Sequence, residues 1–132
     1  MDNIMVHIGR DLYRTLLSNG RHEVIADEPP EFGGTDLGFS PSELLLSSLG
    51  ACTGITLRMY ADRKGWPLEE IKISLSFDYD KAAGKSIIGR NIELTGELDE
   101  EQRNRLLQIA NACPIHKTLQ NPIEINTQLT KL

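Results

Sequence analysis

The chain has few cysteines, few aromatic residues and no excess of positive charge. Its 132 residues include 2 cysteines, 5% aromatic residues and 14 Lys+Arg against 19 Asp+Glu, for a net charge of −5. Two cysteines are too few for a disulfide-stapled secreted fold or for a structural zinc ribbon. The acidic balance argues against a nucleic-acid or anionic-membrane partner. The length predicts one domain over residues 1–132 that depends on its core for stability.

The N-terminus lacks the features of a secretory signal. Met1-Asp2-Asn3 has no basic segment, and no apolar run of the required length follows it. We therefore expect a cytoplasmic protein, in which thiols stay reduced. In that compartment the two cysteines serve either as core residues or in transient redox chemistry.

The first forty residues predict short strands joined by turns. Apolar and β-branched residues favour strands at Ile4 to Ile8, Tyr13 to Leu17 and His22 to Ala26, with a hairpin signal at Ser18-Asn19-Gly20. Prolines and glycines then interrupt Asp27 to Phe39, so this segment is predicted to be a loop.

A long helix is predicted from Pro41 to Lys64. Ser40 and Glu43 form a capping-box pattern at its start, and Gly65 and Pro67 end it. No charged residue lies between Glu43 and Arg58, and apolar residues cover every face, which is typical of a buried helix. Such a helix is about 36 Å long, so a second copy of the chain is predicted to help bury it as a two-fold dimer.

The second half alternates between strand and helix patterns. Segments 71–79 and 92–98 alternate apolar and polar residues and predict an antiparallel hairpin. A second helix is expected after Asp99, a further helical turn after Cys113, and a closing strand at 123–129. The order of elements predicts an α+β protein.

Both cysteines lie in predicted helical segments. Cys52 stands between Gly50 and Gly54, small residues that leave space for a neighbouring element or for a substrate. Cys113 is placed as the N-cap of a short helix, where backbone N–H groups lower a thiol pKa. The residues alone leave three interpretations: buried core residues, metal ligands together with His116, or a redox pair. Metal binding is disfavoured because no metal-type spacing links the cysteines to any of the 3 histidines.

Several segments resemble the OsmC/Ohr family of osmotically induced and organic hydroperoxide resistance proteins. The resemblance implies an α+β fold in which antiparallel sheets pack around a long buried central helix, in an intertwined homodimer. Two further segments are similar to the general OsmC-like branch rather than to the specialised hydroperoxide-resistance branch. The family segments are FSPSELLLSSLGACTGITL around Cys52 and CPIHKTL from Cys113, and the branch segments are Asp27-Glu28-Pro29 with Gly33-Gly34 and Tyr60 to Leu68.

The resemblance implies a cysteine-based peroxidase that needs no metal or other cofactor. The position of Cys52 corresponds to the peroxidatic cysteine, whose thiolate attacks a hydroperoxide and becomes a sulfenic acid. Cys113 corresponds to the resolving cysteine, which forms a disulfide that an external dithiol reduces. In the hydroperoxide-resistance branch that reductant is a lipoylated protein. The Leu, Ile and Met residues around Cys52 favour organic hydroperoxides over hydrogen peroxide.

In the family an arginine from an N-terminal strand helps the buried peroxidatic thiol to ionise. Gly9-Arg10-Asp11 resembles that segment, so Arg10 is the first candidate, with Arg14 and Arg21 as alternatives. The other interpretation of Arg10 is a solvated charge at the end of a strand.

The family also has a glutamate at the start of the central helix. Counting back from Cys52, its position holds Ser42, and Glu43 is the neighbour. One residue turns a helical side chain by about 100°, and a capping role is enough to explain Glu43. This departure weakens the hydroperoxide-resistance interpretation but leaves the two-cysteine chemistry.

A second hypothesis comes from another functional class. A dimeric binding or stress-response protein would keep the same fold without turnover, and its cysteines would stay reduced and inert. The two hypotheses differ in the state of Cys52 and Cys113 after treatment with an oxidant.

Overall fold

The computed structural model describes residues 3–131. Met1 and Asp2, which entered the argument about a secretory signal, lie outside the described residues. The chain divides into two compact units, Met1–Ser47 and Ser48–Leu132. The prediction of one domain over the whole chain stays a prediction, and each unit is described by itself.

The first unit contains a three-stranded antiparallel sheet. Its strands are β1 (Met5–Ile8), β2 (Thr15–Ser18) and β3 (Glu23–Ala26), in the order β1-β2-β3. The β2–β3 turn is closed by the Asn19 side chain, which accepts the backbone N–H of His22 at 2.7 Å. All three strands predicted from the apolar runs are confirmed, with ends that differ by one or two residues.

A buried aspartate organises the loop after β3. Asp27 is only 2% exposed. Its carboxylate accepts the Thr35 hydroxyl at 2.6 Å and the backbone N–H groups of Tyr13, Glu28 and Leu37. The Thr35 hydroxyl bond lowers the pKa of Asp27, and although burial opposes this, the backbone N–H bonds help to hold the pKa well below the usual range of an aspartate.

We expect Asp27→Asn to lower the melting temperature, because the amide group turns an N–H donor toward backbone donors. The folded pKa of Asp27 is depressed, so its contribution is present above the unfolded pKa of about 4 and is lost as the pH falls below that value. The melting temperatures of the two proteins should therefore differ more at neutral pH than in acid. Thermal unfolding followed by circular dichroism measures this.

The matched control is Asp36→Asn, which removes an exposed carboxylate from the same loop. Asp36 has a φ of 54°, a conformation that asparagine also tolerates. Equal melting temperatures for the Asp27 and Asp36 variants at every pH would contradict a stabilising role for Asp27.

The long helix α1 spans Pro41–Lys64, as predicted. The predicted capping box is present: the Ser40 N–H donates to Glu43 Oε1 at 2.8 Å, and the Glu43 N–H donates to Ser40 Oγ at 3.2 Å. Gly65 follows the helix with a φ of 70°, the left-handed conformation expected at that position.

The second unit contains a long antiparallel hairpin that packs against α1. Its strands are β4 (Leu68–Asp80) and β5 (Lys85–Gly96). A Cβ atom added at Gly50 would lie 2.9 Å from Leu75 Cδ1. The small residue beside Cys52 is therefore explained by close approach of a neighbouring strand, one of the two alternatives left by the sequence.

Two further helices complete the second unit, α2 (Glu100–Ala110) and α3 (Pro114–Gln120). Asp99 caps α2 in a capping box with Gln102, as predicted. Leu57 of α1 and Leu106 of α2 are 0% exposed at the centre of the core. Burial of each leucine side chain contributes about 1.5–3 kcal/mol.

One expectation differs from the structure. The predicted strand at 123–129 is coil, and Ile125 and Leu129 are 81% and 98% exposed. A strand needs a neighbour to pair with, and the alternating pattern shows the side on which a strand would be buried but not whether a partner strand is present. Within one chain the helix α1 is buried along one face, and Ile55 and Met59 on the other face are 55% and 62% exposed, as expected of a helix that a single chain cannot cover.

The helix α1 is also long and apolar enough, by length and composition, to cross a membrane. The core helix of a soluble protein passes the same test, so one such helix is weak support for a membrane span.

Candidate active site

The second unit brings the two cysteines together from distant parts of the sequence. Cys52 lies on α1 and is half-buried, and Cys113 caps α3 and is 0% exposed. Both are free thiols. The Cys52 side chain is among the groups that lower the pKa of Cys113, which indicates that the two thiols lie close to each other. The sequence could not show this proximity, because the two residues are 61 positions apart.

The Cys113 thiol has several groups around it that favour its ionised form. Burial raises its pKa, but hydrogen bonds from the His116 backbone, Thr53 and Cys52, together with the charge of Arg90, outweigh burial and leave the pKa below the ordinary value. The His116 N–H donates to Cys113 Sγ at 3.4 Å. The expected N-cap position of Cys113 is thus confirmed, with its sulfur as the acceptor.

Thr53 connects the Cys113 thiol to the rest of the second unit. It is 0% exposed, and its Oγ1 lies 3.8 Å from Cys113 Sγ. The same hydroxyl lies 2.7 Å from the Leu49 carbonyl, to which it donates. Because a hydroxyl has one hydrogen, Thr53 donates either to Leu49 or to the sulfur at any moment.

Arg90 on β5 belongs to the cluster of polar groups around Cys113, and it is the residue that the sequence did not indicate. Its Nη1 donates to Thr53 Oγ1 at 2.9 Å, and its Nη2 contacts Asn111 Oδ1 and His116 Nδ1, each at 2.9 Å. The hairpin could have indicated Arg90, because the register of its two strands pairs Arg90 with Leu75. Paired residues share one face of a sheet, and Leu75 is the residue that approaches α1 at Gly50.

A cavity of about 590 Å³ opens beside the cluster. One part of its wall is polar and includes Arg90, Asn111 and His116, which also belong to the network around Cys113. The rest is mainly aliphatic. The aliphatic residues are Leu49, Ile88, Ile92, Leu107 and Leu119.

The two supporting residues expected from the family resemblance lie in the first unit. Arg10 is exposed in the bend after β1. Glu43 is engaged in the capping box of α1. That Arg10 and Glu43 help the Cys52 thiol to ionise stays a prediction.

No group of three His, Cys, Asp or Glu side chains suited to a metal ion occurs within residues 3–131. The imidazole of His116, the metal ligand considered from the sequence, faces Arg90. An arginine has only donors to offer, so His116 Nδ1 accepts and its hydrogen is on Nε2.

Solved structures share this fold over most of the chain. An OsmC-like protein from Mycoplasma pneumoniae has a TM-score of 0.77 at 20% identity, covering 91% of this chain and 87% of that chain. The organic hydroperoxide resistance protein OhrB of Bacillus subtilis has a TM-score of 0.62 at 23% identity, covering 91% and 90%. The organic hydroperoxide resistance protein OsmC of Legionella pneumophila has a TM-score of 0.67 at 20% identity, covering 91% and 89%. No curated protein sequence matches the chain.

The chain has the α+β fold that these organic hydroperoxide resistance proteins share. A profile described as OsmC-like protein matches residues 33–128. The chain belongs to the OsmC-like family, and the recognition made from its two cysteine segments is confirmed. Proteins of this family are soluble, in agreement with α1 as a core helix.

Proposed function

We propose that this protein is a thiol-dependent peroxidase that reduces organic hydroperoxides. The observation that supports the proposal is the proximity of Cys52 to Cys113, two free thiols from separate helices, together with the network around Cys113 that favours its thiolate. Membership of a family that includes hydroperoxide resistance proteins supports the same function.

In the proposed cycle the Cys52 thiolate attacks the distal oxygen of the hydroperoxide ROOH. The O–O bond breaks, RO⁻ leaves and takes up a proton as the alcohol, and Cys52 becomes a sulfenic acid. The Cys113 thiolate then attacks the Cys52 sulfur, an S–S bond forms, and hydroxide leaves to become water. An external dithiol restores both thiols by exchange, and no metal or other cofactor takes part.

The surroundings of the cluster support an organic substrate and an external reductant. The aliphatic part of the cavity wall offers an apolar surface to the R group of a hydroperoxide, which hydrogen peroxide lacks. A dithiol reductant, for which a lipoylated protein is the candidate suggested by the family resemblance, would act on the Cys52–Cys113 disulfide. We place the protein in the cytoplasm, where such reductants keep thiols reduced.

We also propose that the working unit is a homodimer. The face of α1 opposite its buried residues carries an exposed apolar stripe, defined here as Ala51, Ile55 and Met59. Exposed apolar patches of this kind mark interaction surfaces, and a second copy of the chain is the partner that the family resemblance implies.

The proposed function is tested on the reduced protein with one equivalent of an organic hydroperoxide. After free thiols are blocked, intact mass spectrometry should show the loss of two hydrogens, with both cysteines unalkylated. Two alkylated cysteines would instead support the non-catalytic binding or stress-response protein. Hydrogen peroxide in a parallel sample tests the preference, since it should oxidise the pair more slowly.

A further inference from the structure

Arg90 is a cation held by neutral groups. Its guanidinium contacts the Thr53 hydroxyl, the Asn111 amide oxygen and the His116 imidazole. Within the part of the chain that the structure describes, no carboxylate forms an ion pair with Arg90. A partly buried guanidinium in such surroundings favours an anion nearby.

We propose that Arg90 is a positioning residue that, through Thr53 and His116, holds Cys113 as the thiolate that attacks oxidised Cys52. The proposed peroxidase function supplies the oxidised Cys52, and the inference rests on it to that extent. Nothing in the family resemblance assigned a role to this arginine.

The geometry gives Arg90 two routes to the sulfur. Through Nη1 it donates to Thr53 Oγ1 at 2.9 Å, and the hydrogen of that hydroxyl is donated either to the Leu49 carbonyl or to the sulfur. That hydroxyl lies 3.8 Å from Cys113 Sγ. Through Nη2 it holds the ring of His116, whose backbone N–H donates to the same sulfur at 3.4 Å.

The charge of Arg90 adds to these contacts and lowers the pKa of Cys113. Three elements act on Cys113: α1 through the Cys52 side chain, β5 through the charge of Arg90, and α3 through the backbone N–H of His116, whose imidazole faces Arg90. In the resolving step the Cys113–Cys52 S–S bond forms as hydroxide leaves Cys52. A neutral Cys113 thiol would attack far more slowly, because the thiolate is the nucleophile.

The test follows the ionisation of Cys113 in a protein whose other cysteine is replaced, Cys52→Ser. NMR of isotopically labelled cysteine reports the thiolate fraction against pH. In Arg90→Gln we expect the titration midpoint of Cys113 to rise by about one pH unit or more, as expected for loss of a nearby opposite charge. Arg90→Lys, which keeps the charge but not the planar fork, should give a smaller rise.

Two control variants test whether the change in the titration of Cys113 depends on Arg90 itself. Lys85→Gln removes one positive charge from an exposed position on the same strand and should leave the midpoint unchanged. Asn111→Ala keeps every charge but removes an anchor of Arg90, and it should raise the midpoint less than Arg90→Gln does. If Arg90→Gln fails to fold, Arg90→Lys and Asn111→Ala still decide the question. An unchanged midpoint in every folded variant overturns the proposal.

A kinetic measurement on the two-cysteine protein links Arg90 to the resolving step. In Arg90→Gln, the Cys52 sulfenic acid should persist severalfold longer after one equivalent of hydroperoxide, as measured by trapping with a sulfenic-acid reagent. If the unaltered chain forms no sulfenic acid at all, the proposed function fails while the titration still decides the role of Arg90. If the sulfenic acid forms but disappears at the same rate in both proteins, the proposed role of Arg90 in resolution is wrong.

Discussion

Replacing Cys52 by serine should reduce hydroperoxide consumption by more than about a thousandfold, because the nucleophile itself is removed. Serine has no sulfur to carry the sulfenic acid, and its hydroxyl stays protonated at neutral pH. The rate of hydroperoxide loss in the presence of a dithiol measures the effect. After treatment, the mass of Cys52→Ser should be unchanged.

Cys113→Ser is the matched variant, and it should behave differently. Its Cys52 should consume one equivalent of hydroperoxide and gain one oxygen atom, without forming the intramolecular disulfide. The pKa of Cys113 is lowered, so the two variants also test the opposite assignment, in which Cys113 is the peroxidatic cysteine. If Cys113→Ser abolishes the first oxidation and Cys52→Ser retains it, the peroxidatic and resolving roles are exchanged.

Ile55→Glu should convert a dimer to a single chain, with the native mass falling to about half in light scattering. Ile55 is 55% exposed at the centre of the apolar stripe on α1. A carboxylate there remains solvated in one chain but is costly to bury against a second copy. Because the side chain is exposed in the single chain, circular dichroism should show that the helices are retained.

Gln108→Glu is the control for the added charge, since Gln108 is exposed on α2 outside the stripe. It should leave the native mass unchanged. Met59→Glu, one turn along the same stripe, should repeat the effect of Ile55→Glu. A mass of one chain for the unaltered protein, or an unchanged mass in both stripe variants, would show that this face is not the interface.

Local patterns predicted most of the elements because their causes are local. The capping box of Ser40 and Glu43 and the left-handed Gly65 depend on residues a few positions apart, and the structure confirms both ends of α1. The strand predicted at 123–129 was wrong for the opposite reason. Its pattern is local, but pairing depends on a neighbouring strand elsewhere in the structure.

The candidate site was predictable only in part. The family segments indicated Cys52 and Cys113, and the N-cap position indicated how a backbone N–H would reach the Cys113 sulfur. Arg90 was missed because the second strand of the hairpin was predicted to begin at residue 92. Extending the hairpin by one further pair on the same face places Arg90 beside Leu75, facing α1.

The sequence by itself determined the family, the order of most of the elements and the two thiols, since these depend on residue type and short spacing. Only the tertiary structure decided that Cys52 and Cys113 lie close to each other. It also decided that Arg90 contacts Thr53, whose hydroxyl lies beside the Cys113 sulfur. Such contacts join a helix, a strand and a helix cap that are far apart in the chain. Their formation depends on how the hairpin packs on α1, where the missing side chain of Gly50 lets Leu75 approach.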